Sequence, residues 1–233
     1  MKKQIRLLPM LALIAGSTFF SGCAELKNLL SEVDVANGLR EALIQGITRG
    51  GENARKGSLF SGSNILSAIL PENAVKVINT LETLGLASEV TRFTGTVTNA
   101  AAKSAENSVP IFINGIRNMT FRDAVGILGG GYNAATNYLR TSIGDTLRES
   151  IKPQVTAALS EYNVQQSLDA LLAKVPFGGG KMKFDLSSFV AQQVANQMFK
   201  EVEQEEYRIR TDVAARTTPL LQRVFSSAKA YRQ

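Results

Sequence analysis

The stretch DLSSFVAQQVANQMFKEVEQEEYRIR, residues 185–210, decides the fold. Asp185 stands where a helix cap belongs, and the residues after it predict one long helix from Leu186 to Arg210. At about 100° per residue, Val194, Met198, Val202 and Ile209 share a stripe, and Glu205 falls on its midline. An unpaired carboxylate on a buried stripe is costly. Glu205 is therefore expected to be partly buried and paired, with Arg216 or Arg122 as partner. Glu201, Arg208 and Asp212 lie to one side. The remaining charges of FKEVEQEEYRIRTDVAARTT (199–218) read as a solvated face with pairs three or four residues apart, Glu206 with Arg210 and Arg208 with Asp212.

Working outward, the same periodicity recurs along the chain. Val35, Leu39, Leu43 and Ile47, with Ala42 beside them, predict a helix from Asp34 that ends near Gly50-Gly51. KGSLFSGSNILSAIL (56–70) reads as a loop with a short extended piece. Pro71 opens the next helix, whose stripe of Val75, Ile78 and Leu81 closes at Gly85. Ser88 is placed as a cap before the inner face Val90, Phe93, Val97, Ala101 and Ala105, and Pro110 is expected to interrupt that helix. Ala135, Leu139, Ile143 and Leu147 mark another helix, expected to re-nucleate at Pro153. One more covers Val164 to Ala173. PFGGGKMKFD (176–185) is a connector, and Thr218-Pro219 starts the last helix. Alternation of β-branched and polar residues is scarce, so the fold class is all-α, a single domain of about nine helices without internal repeats.

A second segment, NMTFRDAVGILGGGYNAATNYL (118–139), carries chemistry-bearing residues. Thr120 and Asp123 resemble a capping box. Gly129 to Gly131 allow positive φ and close backbone approach, and the helix N-terminus that follows exposes N–H donors. The leading reading is a tight helix corner, with Ala134-Ala135 permitting close packing; the alternative is that these donors hold a carboxylate or phosphate beside Tyr132, Asn133 and Thr136.

The first residues give an address. MKKQIR is basic, and the apolar run Leu7 to Phe20 is about 14 residues, short of the roughly 20 a spanning helix needs. Ser21 and Gly22 precede Cys23, the sole cysteine. This exit is similar to a bacterial lipobox, apart from Phe20 at the position usually held by Leu. The reading is a signal peptide over 1–22, a lipidated tether over 23–33 and an all-α domain over 34–231, with lipid attached at Cys23. A plain secreted leader and an uncleaved anchor helix are the alternatives. Two or three acyl chains would make attachment effectively permanent. Ala24, where Asp retains enterobacterial lipoproteins in the inner membrane, favours by resemblance the outer membrane facing the periplasm.

Composition excludes much else. With Cys23 lipidated, no disulfide can form, so stability must come from the core. Lys2, Lys3 and Arg6 account for three of 26 cations, leaving 23 against 20 acids after the leader, a net charge of +3. That mild, scattered charge predicts no nucleic-acid partner. The absence of histidine removes Ser-His-Asp and Cys-His nucleophiles and imidazole-bound zinc. No metal or cofactor is expected. Gly178 to Lys181 fails as a phosphate loop, since Val175 and Met182 stand at required positions. Ser226 and Lys229 form a chance-level Ser-x-x-Lys.

Five ordered segments also carry a family resemblance: GLREALIQGITRGGENA (38–54), LPENAVKVINTLETLGL (70–86), MTFRDAVGIL (119–128), GGGYNAATNYL (129–139) and EEYRIRTDVAARTTPLLQRVF (205–225). Together they resemble a bacterial family catalogued as domain of unknown function 4197, over about residues 37 to 226. Members typically carry secretory or lipoprotein signals. This chain departs from them in having Tyr132-Asn133 where an acid often follows the glycines, and Asp212-Val213 where Asp-Pro is common. The resemblance implies fold and address but no activity.

The expectation is therefore a non-enzymatic envelope lipoprotein whose partners are the membrane, through Cys23, and another envelope protein. A helical small-ligand binder is the alternative, and a hydrolase using a carboxylate pair such as Glu205 and Asp212 comes third. The candidate polar site comprises Glu205, Arg216, Asp212, Arg122, Tyr132 and Thr136.

Overall fold

The structure, a computed structural model, describes residues 30–60, 66–67, 72–174 and 185–227. The leader, Cys23, Pro71, most of the 176–185 connector and much of the 56–70 loop lie outside the described residues. Eight α-helices are described: α1 Glu32–Arg55, α2 Glu72–Thr83, α3 Ala87–Asn118, α4 Ala124–Gly129, α5 Ala134–Glu161, α6 Val164–Leu172, α7 Leu186–Thr211 and α8 Pro219–Ser227. A 3-10 turn, Val213–Ala215, joins the last two. No strand occurs among the described residues, and the all-α class is as expected.

The four long helices α1, α3, α5 and α7 form the body. In ring order, α1 packs on α3, α3 on α5, α5 on α7 and α7 back on α1. Phe112 of α3 and Phe199 of α7 meet edge to face across this ring, with centroids 5.7 Å apart. Both are fully buried, as are Leu39, Leu43, Ile47, Val97, Leu139, Val194 and Met198. The predicted inner faces thus form the core, whose burial drives folding. The shorter helices cover its flanks: α2 lies on α3, α6 on α3 and α5, and α8 on α1 and α7.

Helix ends follow local chemistry. Ser31 caps α1: its hydroxyl accepts from the Asp34 N–H at 3.0 Å while the Asp34 carboxylate accepts from Ser31 N–H, completing a capping box. The helix therefore begins at Glu32, two residues before Asp34. Asp185 caps α7 as expected, accepting from Ser188 N–H at 3.0 Å. Gly85, at φ 85°, closes α2 in a Schellman arrangement, with Leu86 N–H donating to the Leu81 carbonyl and Gly85 N–H to that of Glu82.

Several expected breaks are not there. Helix α3 runs through Pro110 and α5 through Pro153. A proline inside a helix forfeits one backbone bond, and the buried residues on both sides, Ser108 and Phe112 or Ile151 and Val155, hold each helix together. Helix α1 continues past Gly50-Gly51 because these glycines admit neighbours rather than end the helix. A Cβ on Gly51 would lie 2.5 Å from Val109 Cγ2, and one on Gly46 would lie 2.7 Å from Val202 Cα. Ser88 does not cap α3; that end begins after Leu86 without a side-chain cap, and the Ser88 hydroxyl donates to Glu89. Asp123, not Thr120, caps α4, accepting from Gly126 N–H at 2.8 Å.

Candidate functional site

Helix α7 carries three buried carboxylates, Glu201, Glu205 and Glu206. It is enclosed on two sides, by α1 and by α5, so its buried surface is wider than one stripe. The candidate site is the polar seam these residues form with both neighbours.

On the α1 side, Glu205 is 1% exposed and fully engaged. Gln45 Nε2 donates to Oε1 at 2.7 Å. Arg49 Nε lies 3.2 Å and Arg208 Nη1 2.9 Å from Oε2. The expected pairing with Arg216 or Arg122 is thus corrected: the cations come from one turn of α7 and from α1, which its own stripe cannot identify. Arg216 is buried and donates to the carbonyls of Ile209, at 2.9 Å, and Arg210, closing the C-terminus of α7. Cations at that end also complement the helix dipole. Arg122 is exposed and joins neither carboxylate. Nearby, Asn53 donates to Glu201, and Gln45 also donates to the Ala215 carbonyl.

On the α5 side, Glu206 is fully buried and meets the start of α5. Ala135 N–H donates to Oε1 at 3.0 Å, and Thr136 N–H and hydroxyl donate to Oε2 at 2.7 and 2.6 Å. Arg210 approaches the same carboxylate, with Nη2 at 2.8 Å and a side chain 1% exposed. Its other N–H groups donate to the carbonyls of Leu128, at 2.7 Å, and Ile127. One ion pair therefore satisfies the last carbonyls of α4 and the first N–H groups of α5, groups that a helix leaves without internal partners. The carboxylate held at this helix N-terminus is the chain's own Glu206, within a closely packed corner.

The pair Glu206–Arg210 is present but buried, not solvated as its spacing suggested. The pair Arg208–Asp212 is not made: Arg208 turns to Glu205, while exposed Asp212 accepts from Ala214 N–H and caps the 3-10 turn. Glu205 and Asp212 consequently face different surroundings. The three glycines of the corner do not use positive φ; Gly130 serves close approach, since a Cβ there would lie 2.9 Å from Ala134 Cβ. Tyr132 stands outside the seam, 54% exposed, with its ring edge to face against Tyr207 at 5.9 Å.

Sequence reasoning missed Gln45, Arg49 and Asn53, and misplaced Glu206 and Arg210. Gln45 and Arg49 stand one helical turn apart beside the predicted stripe of α1, a spacing that could have marked them as one polar edge. Among the described residues, no group of three acidic or thiol side chains is disposed to hold a metal ion. No helix among them is long and apolar enough to cross a membrane.

The fold and seam define a helical domain whose interior charges are neutralised by its own residues. A family model described as a protein of unknown function, DUF4197, matches residues 29–226. The chain belongs to that family. No curated protein and no solved structure matches it.

Proposed function

We propose that the protein is a lipid-anchored interaction module of the bacterial envelope, attached through Cys23 to the outer membrane and facing the periplasm. The observation that carries this reading is the lipobox-like exit ahead of Cys23, behind a basic, short apolar leader. The helical domain begins at Glu32, eight residues after Ala24, so a short tether would link lipid to fold. The seam supports a role in interaction rather than chemistry. Glu205, Glu206, Arg216 and Thr136 are taken up by internal partners, so the polar groups that a small-ligand cavity or a carboxylate-pair hydrolase would use are already engaged.

The test is the intact mass of the full chain expressed with its leader in a bacterial host. Cleavage before Cys23 with added acyl mass, lost in Cys23→Ser, is the expected result. A chain cut elsewhere and released without lipid overturns the anchor.

A further inference from the structure

Val33, Leu84, Tyr132, Tyr207 and Val213 are the large apolar side chains left more than half exposed among the described residues. Tyr132 and Tyr207 touch each other, although one comes from the α4–α5 corner and the other from α7. Their planes stand at 83°, so one ring offers a face and the other an edge. With Lys200, Glu203, Gln204 and Arg208 they line an open groove of about 470 Å³.

The groove is held in shape from beneath. Asn133, next to Tyr132, donates to Glu203 at 2.8 Å. Glu206, next to Tyr207, grips the start of α5. Both rings therefore project from backbone fixed by hydrogen bonds, and little ordering remains to oppose binding. The charges are unequal in availability. Glu203 is half-buried and accepts from the neutral Asn133 amide, so it keeps its charge; Arg208 and Arg49 share Glu205, and exposed Lys200 meets no partner among the described residues. Counting Lys200, Arg208 and Arg49 against Glu203 and Glu205 leaves the groove one positive charge in excess.

From Lys200 to Arg208 the floor runs for about 12 Å at 1.5 Å per residue. That length matches about four residues of polyproline II at about 3.1 Å each. Aromatic notches accept proline rings from such segments, whose conformation is largely set before binding.

We propose that this groove docks an extended, proline-containing segment of a partner protein, with an acidic residue placed against Lys200. This deepens the reading of the chain as an interaction module and names the chemistry of its partner. Tyr132 and Tyr207 would grip the proline ring, and Lys200 would select the acid.

The experiment uses the full chain in detergent micelles and a fluorescein-labelled proline-rich peptide flanked by glutamates, followed by fluorescence anisotropy. Its controls are a lysine-flanked peptide and one with alanine in place of proline. The glutamate-flanked peptide should bind about tenfold or more tighter than either control, and Tyr207→Ala and Tyr132→Ala should each weaken it about tenfold. Lys200→Glu should reverse the preference between acidic and basic flanks. Both tyrosines are surface side chains, and an unchanged helical circular dichroism spectrum excludes unfolding of the variants. No binding at millimolar peptide overturns the proposal, as does equal binding of the alanine peptide, which is free to form a helix, or indifference to both tyrosine replacements. Acyl mass at Cys23, read on the same sample, reports the anchor separately: lipidated protein that ignores the peptide sinks the groove alone, and unlipidated protein that binds it sinks the anchor alone.

Discussion

Glu205 and Glu206 are sequence neighbours on α7, and they solve the same problem in opposite ways. Glu205 faces α1 and is neutralised by Arg49 and Arg208, whose side chains remain 45% and 42% exposed. Glu206 faces the α4–α5 corner and is neutralised by an Arg210 side chain that is itself 1% exposed. The first carboxylate is buried beneath cations that keep contact with water. In the second pair, acid and base are both removed from water, and both also bind helix termini. The difference teaches that exposure of the partner sets how much depends on a buried charge.

Replacing Glu206 should produce the largest effect. Glu206→Gln would leave Arg210 buried without a counter-charge, and breaking such a pair costs about 3–5 kcal/mol. Urea unfolding followed by circular dichroism measures this; a loss no greater than that of a surface replacement would show that the clamp does not stabilise the corner. Glu205→Gln should cost less, about 1–3 kcal/mol, because Arg49 and Arg208 can turn to solvent while Gln45 keeps an amide partner. Equal losses at the two positions would erase the distinction between them.

These two acids also show how far the sequence could be read. Glu205 sits on the stripe of Val194, Met198, Val202 and Ile209, so its burial was legible. Glu206 lies on a second line, Ala195, Phe199, Val202, Glu206 and Ile209, which becomes visible only when α7 is recognised as packed on two helices. Partner identity was less legible still, because Arg49 and Gln45 are more than a hundred residues away and no local spacing links them to α7. Helix existence followed periodicity throughout, from Val35 in α1 to the Thr218-Pro219 start of α8. Breaks inferred from proline and glycine failed where packing outweighed propensity, at Pro110, Pro153 and Gly50-Gly51. Gly85 was read correctly, since nothing packs on it and its positive φ alone explains the residue.

Glycine offers a further test of packing against propensity. Gly46→Ala on α1 would set a Cβ 2.7 Å from the Val202 backbone, and such overpacking costs about 1–3 kcal/mol. The gain in helix propensity, about 1 kcal/mol, should not offset it. Gly95→Ala on α3 meets nothing within 4 Å and should stabilise by up to about 1 kcal/mol. Opposite shifts in the thermal midpoint are expected; shifts of the same sign would mean that α1 and α7 approach less closely than described.

The smallest effect belongs to a pair with both partners near water. Lys174 Nζ lies 2.8 Å from Glu89 Oε1 and, with the Ser88 hydroxyl, holds the Glu89 carboxyl down from its ordinary 4.5 to about 2. A carboxyl lowered by folding stabilises the protein fully above its unfolded value, and that contribution is lost as pH falls through the folded one. The benefit of Glu89 should therefore be complete above about pH 4.5 and vanish toward pH 2. Glu89→Gln should lower stability modestly at neutral pH, flatten the acid limb of the profile in that window, and converge with wild type toward pH 2. High salt should shrink the difference between wild type and variant, because exposed charges are screened. The Glu206 loss should persist in the same salt, since its partners are sealed from solvent. A Glu89 effect that resists salt as strongly would mean that the pair is shielded like the clamp, and the contrast between surface and interior would fail at its weakest point.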